Sequence, residues 1–212
     1  LAGCVIWGVK ELASRINGMA AFAFWDKVEE TITLVRDRHG AKPLYLWRNN
    51  KQLVFSSEIK AFLKHPAFRV NVNISALREY FTFQNLFRSH TLFSGVEQLP
   101  AGSILKIDKE GEQLEKYWDY KFCSSEYKFS QDTSVQLEHL MEKAVERQLV
   151  SDVPVGAYLS GGLDSGSIVA IASRHIPRIQ TFTAGFELSA VDGFEAAFDE
   201  RRSAEMMAYL FK

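Results

Sequence analysis

Between residues 19 and 25 small and aromatic side chains alternate with a period of two, so Phe22 and Phe24 share one face while Ala21, Ala23 and Trp25 share the other. Such alternation predicts a β-strand. A second strand follows in Thr31-Ile32-Thr33-Leu34-Val35, and the polar run Asp26-Lys27-Val28-Glu29-Glu30 between them reverses the chain, which predicts an antiparallel pair. Residues 43–47 and 52–55 read as another hairpin around Arg48-Asn49-Asn50-Lys51, since asparagine tolerates the left-handed backbone of tight turns. A short helix is expected from near Ser57, with Glu58 in its first turn, ending before Pro66.

Asn73 is a polar cap ahead of apolar residues at helical spacing up to Phe81. The aromatic tail Tyr80, Phe81, Phe83 and Phe87 could line a ligand box or a partner site. Core or interdomain packing is the favoured expectation, because aromatic rings carry large burial area where elements meet. Leu99-Pro100-Ala101-Gly102 is a turn feeding a strand at 103–107, and residues 108–111 reverse the chain again.

Residues 119–131 crowd Lys121, Ser124, Ser125, Glu126, Lys128, Ser130 and Gln131 into a short interval, which marks a domain boundary. Leu137, Leu140, Met141, Ala144, Val145 and Leu149 then form an apolar stripe on a helix ending near Val150. Residues 153–159 are a short apolar run, as in a parallel strand covered on both faces. A helix over 163–172, carrying Leu163, Ile168, Val169, Ile171 and Ala172, and a further strand at 179–186 complete an α/β crossover unit. Ligands of such units belong at the carboxyl ends of the strands.

Composition narrows the picture. The 212 residues, 47% hydrophobic and 13% aromatic, suit two partial domains. Lys and Arg number 25 against 26 Asp and Glu, a net charge of -1, which removes any simple electrostatic case for nucleic-acid or membrane binding. Cys4 and Cys123 form neither a metal-ligand cluster nor a disulfide framework, and they suit a reducing cytoplasm. No apolar run approaches the roughly 20 residues of a membrane helix. His39, His65, His90, His139 and His175 are scattered singly, without zinc-ligand spacing.

The segment richest in chemistry is Ser160-Gly161-Gly162-Leu163-Asp164-Ser165, between the expected strand and helix. Two glycines let the backbone approach an anion, and the unpaired N–H groups at the helix start face it. Ser160 and Ser165 add hydroxyl donors. A carboxylate beside a phosphate repels it unless a divalent cation lies between, so Asp164 reads as a Mg²⁺ ligand. The competing reading is a tight strand-to-helix turn, with Asp164 merely favouring the helix dipole. No lysine follows the glycines, which disfavours a Walker-type NTPase.

Ser160 to Ser165 resembles the pyrophosphate loop of the ATP pyrophosphatase superfamily. Asn17-Gly18-Met19-Ala20, Arg36-Asp37-Arg38-His39-Gly40, Phe55-Ser56-Ser57-Glu58, Leu99-Pro100-Ala101-Gly102, Ser151-Asp152-Val153-Pro154 and Thr181-Phe182-Thr183-Ala184-Gly185-Phe186 resemble, in order, landmarks of glutamine-hydrolysing asparagine synthetases. The resemblance implies an α+β glutaminase portion of αββα sandwich type over residues 1–118, a linker at 119–130, and the start of an α/β parallel-sheet ATP-pyrophosphatase domain over 131–212. It implies that Leu159, Ser160, Gly161, Gly162, Leu163, Asp164, Ser165 and Ala184 bind ATP and its pyrophosphate, with Asp164 the ligand to Mg²⁺.

The family's glutaminase nucleophile is a cysteine at the mature N-terminus. This sequence starts at Leu1, so no catalytic residue of that reaction is assigned, Cys4 and Cys123 read as ordinary thiols, and the chain reads as an internal fragment. Gly166 stands where the family leads one to expect serine, a change expected to loosen the helix start. Arg36-Asp37-Arg38 reads as a structural ion-pair corner. The implied partners are glutamine, aspartate and ATP, with a homodimer allowed and neither nucleic acid nor membrane. Asparagine synthesis, adenylation of another carboxylate as in β-lactam synthetase, and a noncatalytic nucleotide-binding scaffold all stay open.

Overall fold

The computed structural model describes residues 1–49, 52–122, 131–185 and 199–211. The chain divides into two compact units, Leu1–Cys123 and Ser124–Lys212. No described helix is long and apolar enough to cross a membrane.

The first unit opens with helices α1 (Ala2–Trp7) and α2 (Val9–Arg15). The alternating segments become β1 (Ala21–Asp26) and β2 (Thr31–Arg36), antiparallel, with Phe22 opposite Val35 and Ala23 opposite Leu34. The second hairpin is β3 (Tyr45–Asn49) with β4 (Gln52–Ser56). Its turn residue Asn50 lies outside the described residues. With β5 (Val96–Gln98), β6 (Ser103–Asp108) and β7 (Gly111–Lys116), the strands assemble into a four-stranded antiparallel sheet, β1-β2-β6-β7, and a three-stranded one, β4-β3-β5.

The strand period sorts the side chains into layers. Leu34 opposite Leu105 lines one face of the larger sheet and packs with Leu44, Leu46 and Leu99 from the smaller one. Val35 and Ile104 line the other face and meet Ala13 of α2. Beyond the smaller sheet, Trp47 and Val96 pack on Phe62 and Phe68. The order is helix, sheet, sheet, helical turn, which is the αββα sandwich expected of this unit.

Two local expectations change. The helix expected from Ser57 is a 3-10 helix, Ile59–Lys64, because Glu58 is extended (φ -137°, ψ 136°) and Phe62 is pinned in the core. The next helix, α3 (Ile74–Phe83), starts at the expected cap: Asn73 Oδ1 accepts a hydrogen bond from the Ala76 N–H at 3.2 Å. Its aromatic tail is not packed as expected. α3 buries only Ala76, while Tyr80, Phe81, Phe83 and Phe87 stay exposed, Phe83 meeting Phe87 edge-on at 5.4 Å.

The Arg36-Asp37 corner is structural, but it is not an ion pair. Both side chains are buried, and backbone dipoles satisfy each of them. Asp37 accepts from the N–H groups of Ala41 and Lys42 at 2.9 Å, His39 at 3.2 Å and Ala20 at 3.3 Å. Arg36 donates to the carbonyls of Lys42 at 2.9 Å, Leu99 at 2.7 Å and Gly40 at 2.6 Å. Burial pushes the Asp37 carboxyl up, yet the donors from Lys42, Ala41, Ala20 and His39 outweigh it and hold the group below the usual carboxylate range.

The second unit comprises α4 (Gln131–Gln148), β8 (Gly156–Tyr158), α5 (Leu163–His175), β9 (Gln180–Phe182) and α6 (Arg201–Leu210). β8 and β9 are parallel, with Tyr158 opposite Phe182, and α5 connects them. The α4 stripe is used only in part: Met141, Val145 and Leu149 pack with Ile171 and Ala172, while Leu137 and Leu140 stay exposed. Both expected strands are shorter than the sequence suggests. β8 is not covered on both faces, since Tyr158 is 86% exposed while Leu159 is 1% exposed. β9 ends at Phe182, and Phe186 lies outside the described residues.

Candidate functional site

Two hydrogen bonds clip the carboxyl ends of β8 and β9 together. The Leu159 N–H donates to the Phe182 carbonyl at 3.0 Å, and Thr183 Oγ1 donates to the Leu159 carbonyl at 2.7 Å. Leu159 and Ala184 therefore sit at adjacent strand ends. Ser160 to Gly162 then carry the chain into α5, with Gly161 at φ +81°, a backbone state open to glycine and strained for most other residues.

The start of α5 carries no side-chain cap, as is also true of α1, α2 and α6. Its N-cap is Gly162, and no side chain caps the helix, unlike Asn73 at α3. The first intrahelical bond runs from the Gly166 N–H to the Gly162 carbonyl at 2.9 Å. Among the described residues, the N–H groups of Leu163, Asp164 and Ser165 meet no acceptor. Leu163 and Asp164 are exposed, so these donors and the positive end of the dipole face outward. This is the arrangement that binds a phosphate or carboxylate.

The two serine hydroxyls hold the loop as well as facing it. Ser160 Oγ and Ser165 Oγ lie 3.0 Å apart, the Ser160 N–H donates to Ser165 Oγ at 3.2 Å, and the Gly162 N–H donates to Ser160 Oγ at 3.4 Å. Asp164 is the one carboxylate in that turn of α5. Among the described residues, no group of three or more His, Cys, Asp or Glu side chains could hold a metal ion. The residues thus fit Mg²⁺ arriving with a phosphate ligand, which supplies the remaining oxygens together with water, and do not fit an all-protein metal cage.

Sequence reasoning missed α6. A β-carbon on Gly161 would lie 2.5 Å from Ser203 Cβ and 3.0 Å from the Ala204 nitrogen, so the loop rests directly on the first turn of this helix. At Gly166 the structure shows a packing reason for the glycine. It is buried, and a β-carbon there would come 2.8 Å from Met207 Sδ, so the missing side chain lets α6 approach. The available hint was a glycine inside a helical pattern, which costs about 1 kcal/mol against alanine and usually has a packing reason.

Cys4 is buried in α1 as a free thiol, and Cys123 lies outside the described residues.

Residues 1–118 match a family described as glutamine amidotransferase domain, and residues 136–212 match one described as asparagine synthase. The glutamine-hydrolyzing asparagine synthetase 3 of Bacillus subtilis is 35% identical over 187 residues, covering 84% of this chain and 30% of that protein. Asparagine synthetase 1 of the same organism is 34% identical over 179 residues, covering 84% of this chain and 28% of that protein. Amidase chry2 of Gibberella zeae is 32% identical over 209 residues, covering 92% of this chain and 29% of that protein. The chain spans about 30% of the length of these curated relatives.

Proposed function

Because this chain belongs to the asparagine synthetase family, with a glutamine amidotransferase domain followed by an asparagine synthase domain, we propose that it serves ATP-dependent amidation of aspartate with glutamine-derived ammonia. In this reading ATP is cleaved between its α and β phosphates, aspartate becomes an acyl-adenylate with release of pyrophosphate, and ammonia displaces AMP to give asparagine. Hydrolysis of glutamine supplies the ammonia and leaves glutamate. The setting is the cytoplasm.

The observation that carries this reading is the uncapped, outward-facing start of α5, reached through Gly161 at φ +81° and flanked by one exposed carboxylate. Leu163, Asp164 and Ser165 would offer backbone N–H groups to the phosphates, while Ser160 and Ser165 would keep the loop in shape. Asp164 would hold Mg²⁺, which when bound offsets the charge on the phosphate oxygens. Leu159 and Ala184 would flank the nucleotide at the strand ends.

The decisive test is the product stoichiometry. Aspartate should drive formation of AMP and pyrophosphate in equal amounts, without ADP, and ammonia should replace glutamine as nitrogen donor. An AMP-forming reaction that ignores aspartate and responds to another carboxylate would keep the loop chemistry and discard the asparagine assignment. The likeness to amidase chry2 makes that second reading worth including in the substrate panel.

Asp164→Asn separates the two half-reactions. In the intact protein, with its glutaminase nucleophile present, it removes a charged oxygen from the Mg²⁺ site of the second unit, so pyrophosphate release should fall about 10²-fold while release of glutamate from glutamine is spared. Unchanged pyrophosphate formation would make Asp164 a residue that only starts the helix.

A further inference from the structure

The side of α6 that faces the phosphate loop is built from small residues on both partners. Ala204 is buried with Leu159 and Val169, and Met207, Ala208 and Phe211 continue the same face toward Ala157 and Ile179. Three glycines stand opposite. Gly161 meets Ser203 and Ala204, Gly166 meets Met207, and Gly185 leaves room for the stem of Arg201. The contacts at Gly161 and Gly166 bear on opposite ends of the short stretch that presents the free N–H groups of Leu163, Asp164 and Ser165. The spacing of α6 from α5 therefore sets how that stretch is aimed.

Met207 is the side chain that fills this spacing. Its sulfur and methyl occupy the volume a β-carbon on Gly166 would take, at 2.8 and 3.2 Å from that position. Thioether side chains fill irregular gaps because they are unbranched and polarizable. Shortening Met207 leaves a hole beside Gly166, and even a partial relaxation of α5 and α6 into it would shift the Gly161 contact.

We propose that Met207, packed against Gly166, is a positioning residue for the nucleotide phosphates: it holds α6 at the distance from α5 at which Gly161 keeps its left-handed conformation and the first-turn N–H groups converge. The proposal rests on the reading of Ser160 to Ser165 as the phosphate loop. Met207 touches no reacting atom in it.

The test is aspartate-dependent exchange between ATP and pyrophosphate in the intact protein, with thermal unfolding measured in parallel. Met207→Ala should raise KM for ATP about tenfold, since small misplacements of positioning groups carry large kinetic costs, while KM for aspartate holds. Met207→Leu should stay within about twofold of wild type, because it conserves volume. Adding Gly166→Ser to Met207→Ala should recover most of the ATP affinity by refilling the hole. A Met207→Ala protein that melts earlier but keeps the wild-type KM for ATP would overturn the proposal and make the residue mere packing, as would a double variant no better than the single one. A wild-type protein that neither exchanges pyrophosphate nor binds ATP would overturn the phosphate-loop reading itself, a result distinguishable from the first two.

Discussion

Gly161→Val is expected to abolish aspartate-dependent pyrophosphate release and to lower the unfolding temperature of the second unit by about 10 °C. Two costs combine. Valine is β-branched, and holding it at φ +81° costs about 1–3 kcal/mol. Its β-carbon must also occupy a point 2.5 Å from Ser203 Cβ and 3.0 Å from the Ala204 nitrogen, where α6 backbone cannot yield easily. Such overpacking costs about another 1–3 kcal/mol. Gly162→Ala is the control. Gly162 has φ -78°, and a β-carbon there would meet only Ser160 Oγ, at 3.4 Å. It should leave the melting temperature nearly unchanged. Wild-type pyrophosphate release by Gly161→Val would show that the loop does not form the phosphate site.

The second large effect is expected at Asp37. Asp37→Ala strips the acceptor from four backbone N–H groups at once, those of Ala20, His39, Ala41 and Lys42, in a corner that also carries the Arg36 guanidinium. An unsatisfied buried donor costs about 1–3 kcal/mol, and water can reach part of this site, so a loss of about 3–5 kcal/mol is expected in urea unfolding of the first unit at pH 7. The pH dependence follows from the lowered Asp37 carboxyl. A carboxylate whose folded value lies below its unfolded value, about 4, stabilises fully above that value and progressively less as pH falls through the folded one. Wild-type stability should therefore decline below about pH 4, and Asp37→Ala should flatten that decline. A cost at pH 7 below about 1 kcal/mol would show that solvent replaces the carboxylate.

Period and punctuation alone made the larger part of this protein legible. The alternation at Phe22, Ala23 and Phe24, the cap at Asn73, and the glycine-rich exit from an apolar run are local statements. Local geometry decides them, since a strand presents alternate side chains whatever it packs against and a capped turn closes over four residues. The proposed phosphate loop belongs to this class, because its donors would be backbone groups of six consecutive residues. What escaped the sequence depends on partners distant along the chain. Nothing in Arg36-Asp37 reveals that seven backbone groups rather than each other satisfy the two charges, because two of those groups, the Ala20 N–H and the Leu99 carbonyl, arrive from distant parts of the chain. The exposure of Tyr80, Phe81 and Phe83 could not be read from their hydrophobicity, since burial is decided by which face of α3 turns inward, and that face is Ala76. The roles of Gly161 and Gly166 likewise became distinct only when α6, some forty residues on, was seen to lie against them. A glycine states that space or backbone freedom is needed; only the tertiary structure says which, because the atom that would fill the space belongs to another element.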